Sequence, residues 1–287
     1  MIKYSGMGSS PANSGFTLIE LSIVLVIIGL IIGGVLVGQD LVRAAEVRAQ
    51  ITQIEKYQTA ANTFYGKFGA LPGDLNALVA TQFGFAARGN YAGEGDGNGI
   101  IQGISANLAN FNWGNSEGAG ETVMFWVDLS SAAGGNLIDG NFSTATSTVP
   151  ATILQTQINL YFPQAKIGKG NYIYVWSDAA GGGPAGGGNN YYGLAAVTGV
   201  PVGGALQSTP NLTVAQAYTI DTKIDDGRAQ TGRVIALYLT GAGWSWANAQ
   251  GSDSSSSCYN NSTSAYAYSM SVNSGTGPNC ALSFRFQ

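Results

Sequence analysis

A chain of 287 residues with 42 glycines, a net charge of −4 and only 10% charged side chains can bury a substantial core, but it has no Lys/Arg cluster for a nucleic-acid surface. It contains no histidine, which removes Ser–His and Cys–His nucleophile systems. Val, Ile, Leu and aromatic residues recur along its whole length, so the composition is that of a folded, Gly- and Ser-rich chain rather than a disordered one.

Residues 1–15 read as a polar leader whose only charged side chain is Lys3. From Phe16 to Val37 the text is almost wholly apolar, long enough at about 1.5 Å of rise per residue to cross a hydrocarbon layer of about 30 Å. Glu20 interrupts it. A carboxylate in lipid costs a few kcal/mol, so it requires a partner. A secretory signal would have a shorter apolar core followed by a small-residue cleavage site, and neither is present. A simple signal anchor accounts for the length but gives no reason for Glu20 or for Gly15 directly before Phe16. Gly29 with Gly33, and Gly34 with Gly38, form small-xxx-small pairs that allow close approach of like helices.

Gly15 followed by Phe16-Thr17-Leu18-Ile19-Glu20 resembles the processing site of type IV prepilins and the related pseudopilins. The resemblance implies a pilin fold, cleavage after Gly15 by a prepilin peptidase, N-methylation of Phe16, and a salt bridge in the filament between Glu20 and the free α-amino group of a neighbour's Phe16. It implies as partners copies of the chain, related pilins, the peptidase/methyltransferase and inner-membrane assembly machinery. It also implies a location in the bacterial inner membrane with a periplasmic head, and later a surface or periplasmic filament. Many pilins carry a proline in this part of the helix. Here there is none, so any unwinding on assembly depends on glycine.

The assembly half of the helix is expected over residues 16–38 and an amphipathic half over 39–66. In the second half Val47, Ile51, Ile54, Ala61 and Tyr65 fall near one face, and Arg43, Glu46, Arg48, Glu55 and Lys56 supply the other. Gly66, Gly69 and Leu71-Pro72-Gly73 are expected to end it. Residues 67–287 form the expected head. Helices are predicted over 74–85, 121–131 and 212–224, and strands over 153–160, 172–176, 191–197, 234–239 and 281–286. Residues 181–190 read as a flexible linker. The class is therefore α+β, with one long N-terminal helix packed on an antiparallel sheet. Lys67 to Asp74, Asp221 to Gly227 and Cys280 to Phe286 also resemble phrases in large bacterial proteins with the same prepilin-type N-terminus.

Cys258 and Cys280, an even pair in an exported chain, are expected to form one disulfide closing a Ser/Asn/Gly-rich loop. Glu94, Asp96 and Asn98 alternate with glycine in a pattern that could give oxygens to calcium, with Glu117 or Glu121 approaching from elsewhere. The EF-hand spacing is absent, and a solvated turn is the competing reading. Asp225 and Asp226 before Gly227 carry the same choice between a cation site and a type I turn. Related pseudopilins hold calcium in a head loop, so the resemblance allows a structural calcium here while requiring no cofactor. Carboxylates such as Glu117, Glu121 and Asp128 isolate no glycosidase pair. Trp244 and Trp246 read as core more readily than as a sugar platform. The expected role is a structural filament subunit rather than an enzyme, with a minor or tip pilin, or a membrane-anchored adhesin, as the alternative.

Overall fold

The computed structural model describes residues 15–91, 93–104, 112–113, 118–143, 145–148, 152–178, 187–202, 205–240, 246–247, 250–262 and 265–287. The chain divides into two compact units, Met1–Ala45 and Glu46–Gln287. A single helix, α1 (Leu18–Phe68), supplies most of the described part of the first unit and opens the second.

Within the second unit α1 is one-sided. Val47, Gln50, Gln53, Ile54, Tyr57, Ala60, Ala61 and Phe64 are buried, a succession of three- and four-residue steps along one face. Val47, Ile54 and Ala61 lie on the face expected for them, and Ile51 packs at its margin. Tyr65 does not: its neighbour Phe64 takes the core position and Tyr65 is half exposed. The two buried glutamines are the less expected members. Gln53 accepts from the Lys166 amide at 2.9 Å and donates to the Gln164 carbonyl at 2.9 Å, while Gln50 accepts from the Ile167 amide at 3.1 Å. Polar side chains on the core face thus supply the partners that a half-buried connecting segment needs. The helix runs past Gly66 and stops at Gly69, which takes a left-handed conformation.

Among the described residues three further α-helices follow: α2 (Ala77–Phe83), α3 (Glu121–Ser130) and α4 (Val214–Ile224). Helix α2 is shorter than the expected 74–85, because Asn76 caps its start through the Val79 amide and Gly84 closes its end. Asp74 is left outside it. The main sheet comprises β1 (Asn171–Ser177), β2 (Asn190–Gly199), β3 (Gln207–Thr209), β4 (Val234–Ile235) and β5 (Leu282–Arg285). Its order is β1-β2-β5-β4, and every pairing is antiparallel. Strand β2 pairs along most of its length with β1, while β5 and β3 take successive stretches of it, opposite residues 191–194 and 196–199. Gly193 sits where a side chain would collide with the ring of Tyr174 at 2.2 Å, so glycine is what lets that tyrosine cross the strand.

Two expected strands differ. Residues 155–160 form a 3-10 helix, leaving only Ile153 in a bridge with Val200. Gln157 accepts from the Leu154 amide at 3.3 Å and supports the turn that breaks the extended run. The stretch 234–239 divides: Val234–Ile235 joins β5, whereas Tyr238–Leu239 pairs with Trp246–Ala247, and a hydrogen bond from the Ala236 amide to the Ala229 carbonyl marks the break. The core gathers Tyr57, Phe125, Trp126, Tyr192 and Phe286, with ring centroids 4.3–6.4 Å apart. The result is an α+β head in which the buried face of α1 packs with an antiparallel sheet behind it.

Candidate functional site

The first unit has a simple chemistry. Every large apolar side chain from Phe16 to Val42 is exposed, and an 18-residue window of this helix has a mean hydropathy of 2.9. By length and composition it can span a bilayer. The helix start is built by two residues. The Thr17 amide and hydroxyl both donate to Glu20 Oε2, at 2.8 and 2.7 Å, and the Glu20 amide approaches Thr17 Oγ1 at 3.3 Å. This is a capping box, and it turns the carboxylate back toward residues 16 and 17 at the positive end of the helix dipole. The Thr-x-x-Glu spacing was legible in the sequence, where Glu20 alone was singled out. Ser22 returns its hydroxyl to the Ile19 carbonyl at 2.9 Å and adds no free polar group to the face.

Among the described residues, the head holds two groups of carboxylates, each with an oxygen of every member within 4.8 Å of the others: Asp74, Asp96 and Glu121, and Asp221, Asp225 and Asp226. The first joins three separate stretches of chain. Asp74, buried beside the Pro72-Gly73 turn, accepts the amides of Gly97 at 2.7 Å, Asn98 at 3.2 Å and Gly99 at 2.8 Å. Glu121, buried at the start of α3, accepts those of Gly95 at 3.1 Å, Asp96 at 3.4 Å and Gln102 at 2.8 Å. The loop can wrap two carboxylates this closely because Gly95, Gly97 and Gly99 all have positive φ, and a side chain on Gly95 would meet the Leu75 carbonyl at 2.3 Å. Burial raises the Asp74 carboxyl to about 7, against the opposing pull of the Gly99 and Gly97 amides, and burial pushes Glu121 well above the usual carboxylate range.

Of the residues singled out beforehand, Asp96 joins this group. Glu94 turns away and accepts the Tyr91 amide at 2.9 Å. Asn98 braces the loop instead, accepting the Ile100 amide at 2.7 Å and donating to Asp96 at 2.9 Å and Gln102 at 3.2 Å. Glu121 approaches from elsewhere, as one of the two acids named for that role; Glu117 and Trp244 lie outside the described residues, and the Trp246 side chain does too. A hard cation wants six or more oxygens. Here backbone amides already sit on the oxygens of Asp74 and Glu121, so the group has the chemistry of a loop clamp.

The second group repeats the pattern. Asp221 accepts the Tyr268 hydroxyl at 2.8 Å and the Gly227 amide at 3.3 Å. Asp225 accepts the amides of Arg233 and Val234, and Asp226 accepts the Arg228 amide and the Thr231 hydroxyl. Burial raises the Asp221 carboxyl to about 7, countered first by Tyr268. Nearby, Cys258 and Cys280 are joined in a buried disulfide. A loop of this size contributes about 3 kcal/mol by the chain-entropy argument.

Beneath the first loop, Arg88 and Asp128 form an ion pair at 2.6 Å with both side chains fully buried, and the Gly73 amide adds a bond to Asp128 at 2.7 Å. No charge pattern in the sequence pointed to this pair.

Residues 10–36 match the family model described as the prokaryotic N-terminal methylation motif. The chain carries the prepilin motif of type IV pilins. Among curated proteins and solved structures, no match to the chain is found. The prepilin motif covers Gly15, Phe16 and the Thr17–Glu20 box and ends inside the exposed apolar part of α1, well before the face that buries itself in the head. A prepilin motif implies processing by a prepilin peptidase, anchoring through the apolar helix and assembly into filaments.

Proposed function

We propose that this chain is a structural subunit of a type IV pilus-like or type II secretion pseudopilus-like filament. A prepilin peptidase cleaves it after Gly15, Phe16 is N-methylated, and the subunits then polymerise through the apolar half of α1. The carrying observation is the prepilin motif running into a helix whose large apolar side chains are uncovered from Phe16 to Val42. The capping box supports a definite part for Glu20. It holds the carboxylate beside the position of the new N-terminus, where a neighbour's α-amino group can take the oxygen that Thr17 leaves open. In a low-dielectric filament core such a pair fixes register more than it adds affinity. The acidic groups of the head are read as loop clamps, held by amides rather than by calcium.

Mass spectrometry of the N-terminal peptide of the cell-derived protein tests the processing. The expected mature chain starts at N-methylated Phe16, whereas a chain that keeps residues 1–15 or starts elsewhere overturns the reading.

A further inference from the structure

The sequence has one Asn-Gly pair, Asn98–Gly99, and three Asp-Gly pairs, Asp96–Gly97, Asp139–Gly140 and Asp226–Gly227. These are the dipeptides most prone to succinimide formation, because glycine leaves its amide nitrogen unhindered. That nitrogen loses its proton and attacks the preceding side-chain Cγ, closing a five-membered ring. At asparagine the Cγ–Nδ2 bond breaks and ammonia leaves with the proton; at aspartate a water molecule leaves. Water then opens the ring to aspartate or to isoaspartate, whose backbone passes through the side-chain carbon.

In three of the four pairs the attacking nitrogen is already held. Gly97 and Gly99 both donate to the same carboxylate, Asp74, at 2.7 and 2.8 Å, and Gly227 donates to Asp221 at 3.3 Å. The electrophile is held too. The Asn98 side chain is fixed by Ile100, Asp96 and Gln102, and both oxygens of Asp96 are occupied by Asn98. Attack would require the glycine to leave its carboxylate and the side chain to leave its own partners in one movement. Asp139, by contrast, is exposed on its loop, with its carboxylate paired to Lys56 at 2.6 Å.

We propose that Asn98–Gly99 is the chain's foremost spontaneous modification site, and that Asp74 keeps it and Asp96–Gly97 unreacted while Asp221 does the same for Asp226–Gly227. Reaction at Asn98 would set another carboxylate beside Asp74, Asp96 and Glu121, so the change opposes refolding of the loop around them. The two acids are positioning residues for a reaction that the fold suppresses.

Ageing the full chain in detergent, with peptide mapping for deamidation and isoaspartate, tests this. Folded wild type keeps Asn98 intact, and the same chain in denaturant converts it at least about tenfold faster, the scale of losing a hydrogen bond to a charged group. Folded Asp74→Ala releases residues 96 and 98 but not 226; Asp221→Ala releases 226 alone; Asp139–Gly140 reacts at one rate in all the folded chains. Where Asp74→Ala fails to fold, Asp74→Asn keeps one acceptor oxygen and gives a smaller increase. Equal rates at Asn98 in folded and denatured chain overturn the proposal. So does release of all the sites together in either variant, which signals general loosening. A slower reaction in Asp74→Ala also overturns it, since Asp74 would then be acting as a base for the attack.

Discussion

The two stretches of α1 are one helix in two solvents. From Leu18 to Val42 large apolar side chains project on all sides, whereas from Val47 to Phe64 only one face is buried and Glu55, Lys56 and Thr59 stay outside. Helix geometry is the same in both. What differs is the width of the apolar surface, and that width says what each stretch must be covered by: a single neighbouring layer for the second, lipid or a ring of like helices for the first. The isolated charges follow suit. Glu20 in the first stretch can be answered only by its own helix start or by another molecule. On the buried face of the second, Gln53 and the side-chain oxygen of Gln50 are answered by the segment packed on them, while Gln50 Nε2 has no partner among the described residues.

If the two stretches do separate work, a change in one should leave the other untouched. The largest effect is expected from Glu20→Ala. Filaments should fall to background in electron micrographs of cells, while the protein remains inserted, processed and folded; filaments of normal abundance would remove Glu20 from assembly. Next comes Arg88→Ala, which leaves Asp128 charged and buried without its partner. It should cost the head roughly 3–5 kcal/mol in chemical denaturation, with Phe16 processing unchanged. A loss below about 1 kcal/mol would mean that water reaches Asp128.

The smallest effect concerns pH. The folded carboxyls of Asp74 and Asp221 lie at about 7, raised above their unfolded value of 3.8, and Glu121 is raised as well. The folded head therefore binds more protons than the unfolded chain between these values. That stability is fully present below about pH 4 and is lost as pH rises through about 7. The melting temperature should fall from pH 5 to pH 8. Asp74→Asn should flatten the slope; a melting temperature that rises over this range would reverse the assignment.

The features legible in the sequence were those written over short spans. Gly15, Phe16 and Glu20 stand within six residues, and the change from all-round to one-sided patterning is a local periodicity. Where periodicity erred, adjacent aromatics competed: Tyr65 fitted the pattern about as well as Phe64, and only the packing of Phe64 against Phe68 and Phe85 separates them. The loop clamps were hidden for another reason. Asp74 reaches the glycine loop from 23 to 25 residues away and Glu121 from 19 to 26, and spacing within the loop pointed to Glu94, which faces elsewhere. Apolar residues around 153–160 suggested a strand, although the glutamines among them support a tighter turn.

The place of β5 has a consequence for the order in which this head is made. It is the last strand among the described residues, yet it lies inside the sheet, between β2 and β4, with Cys280 two residues before its start. Until residues 280–285 have been made, β2 and β4 have no strand to join them and the Cys258–Cys280 disulfide cannot close. Non-local pairing of this kind makes the sheet a late event in folding. The head thus carries a check on its own assembly, since a chain interrupted before residue 282 lacks the strand that lies between β2 and β4.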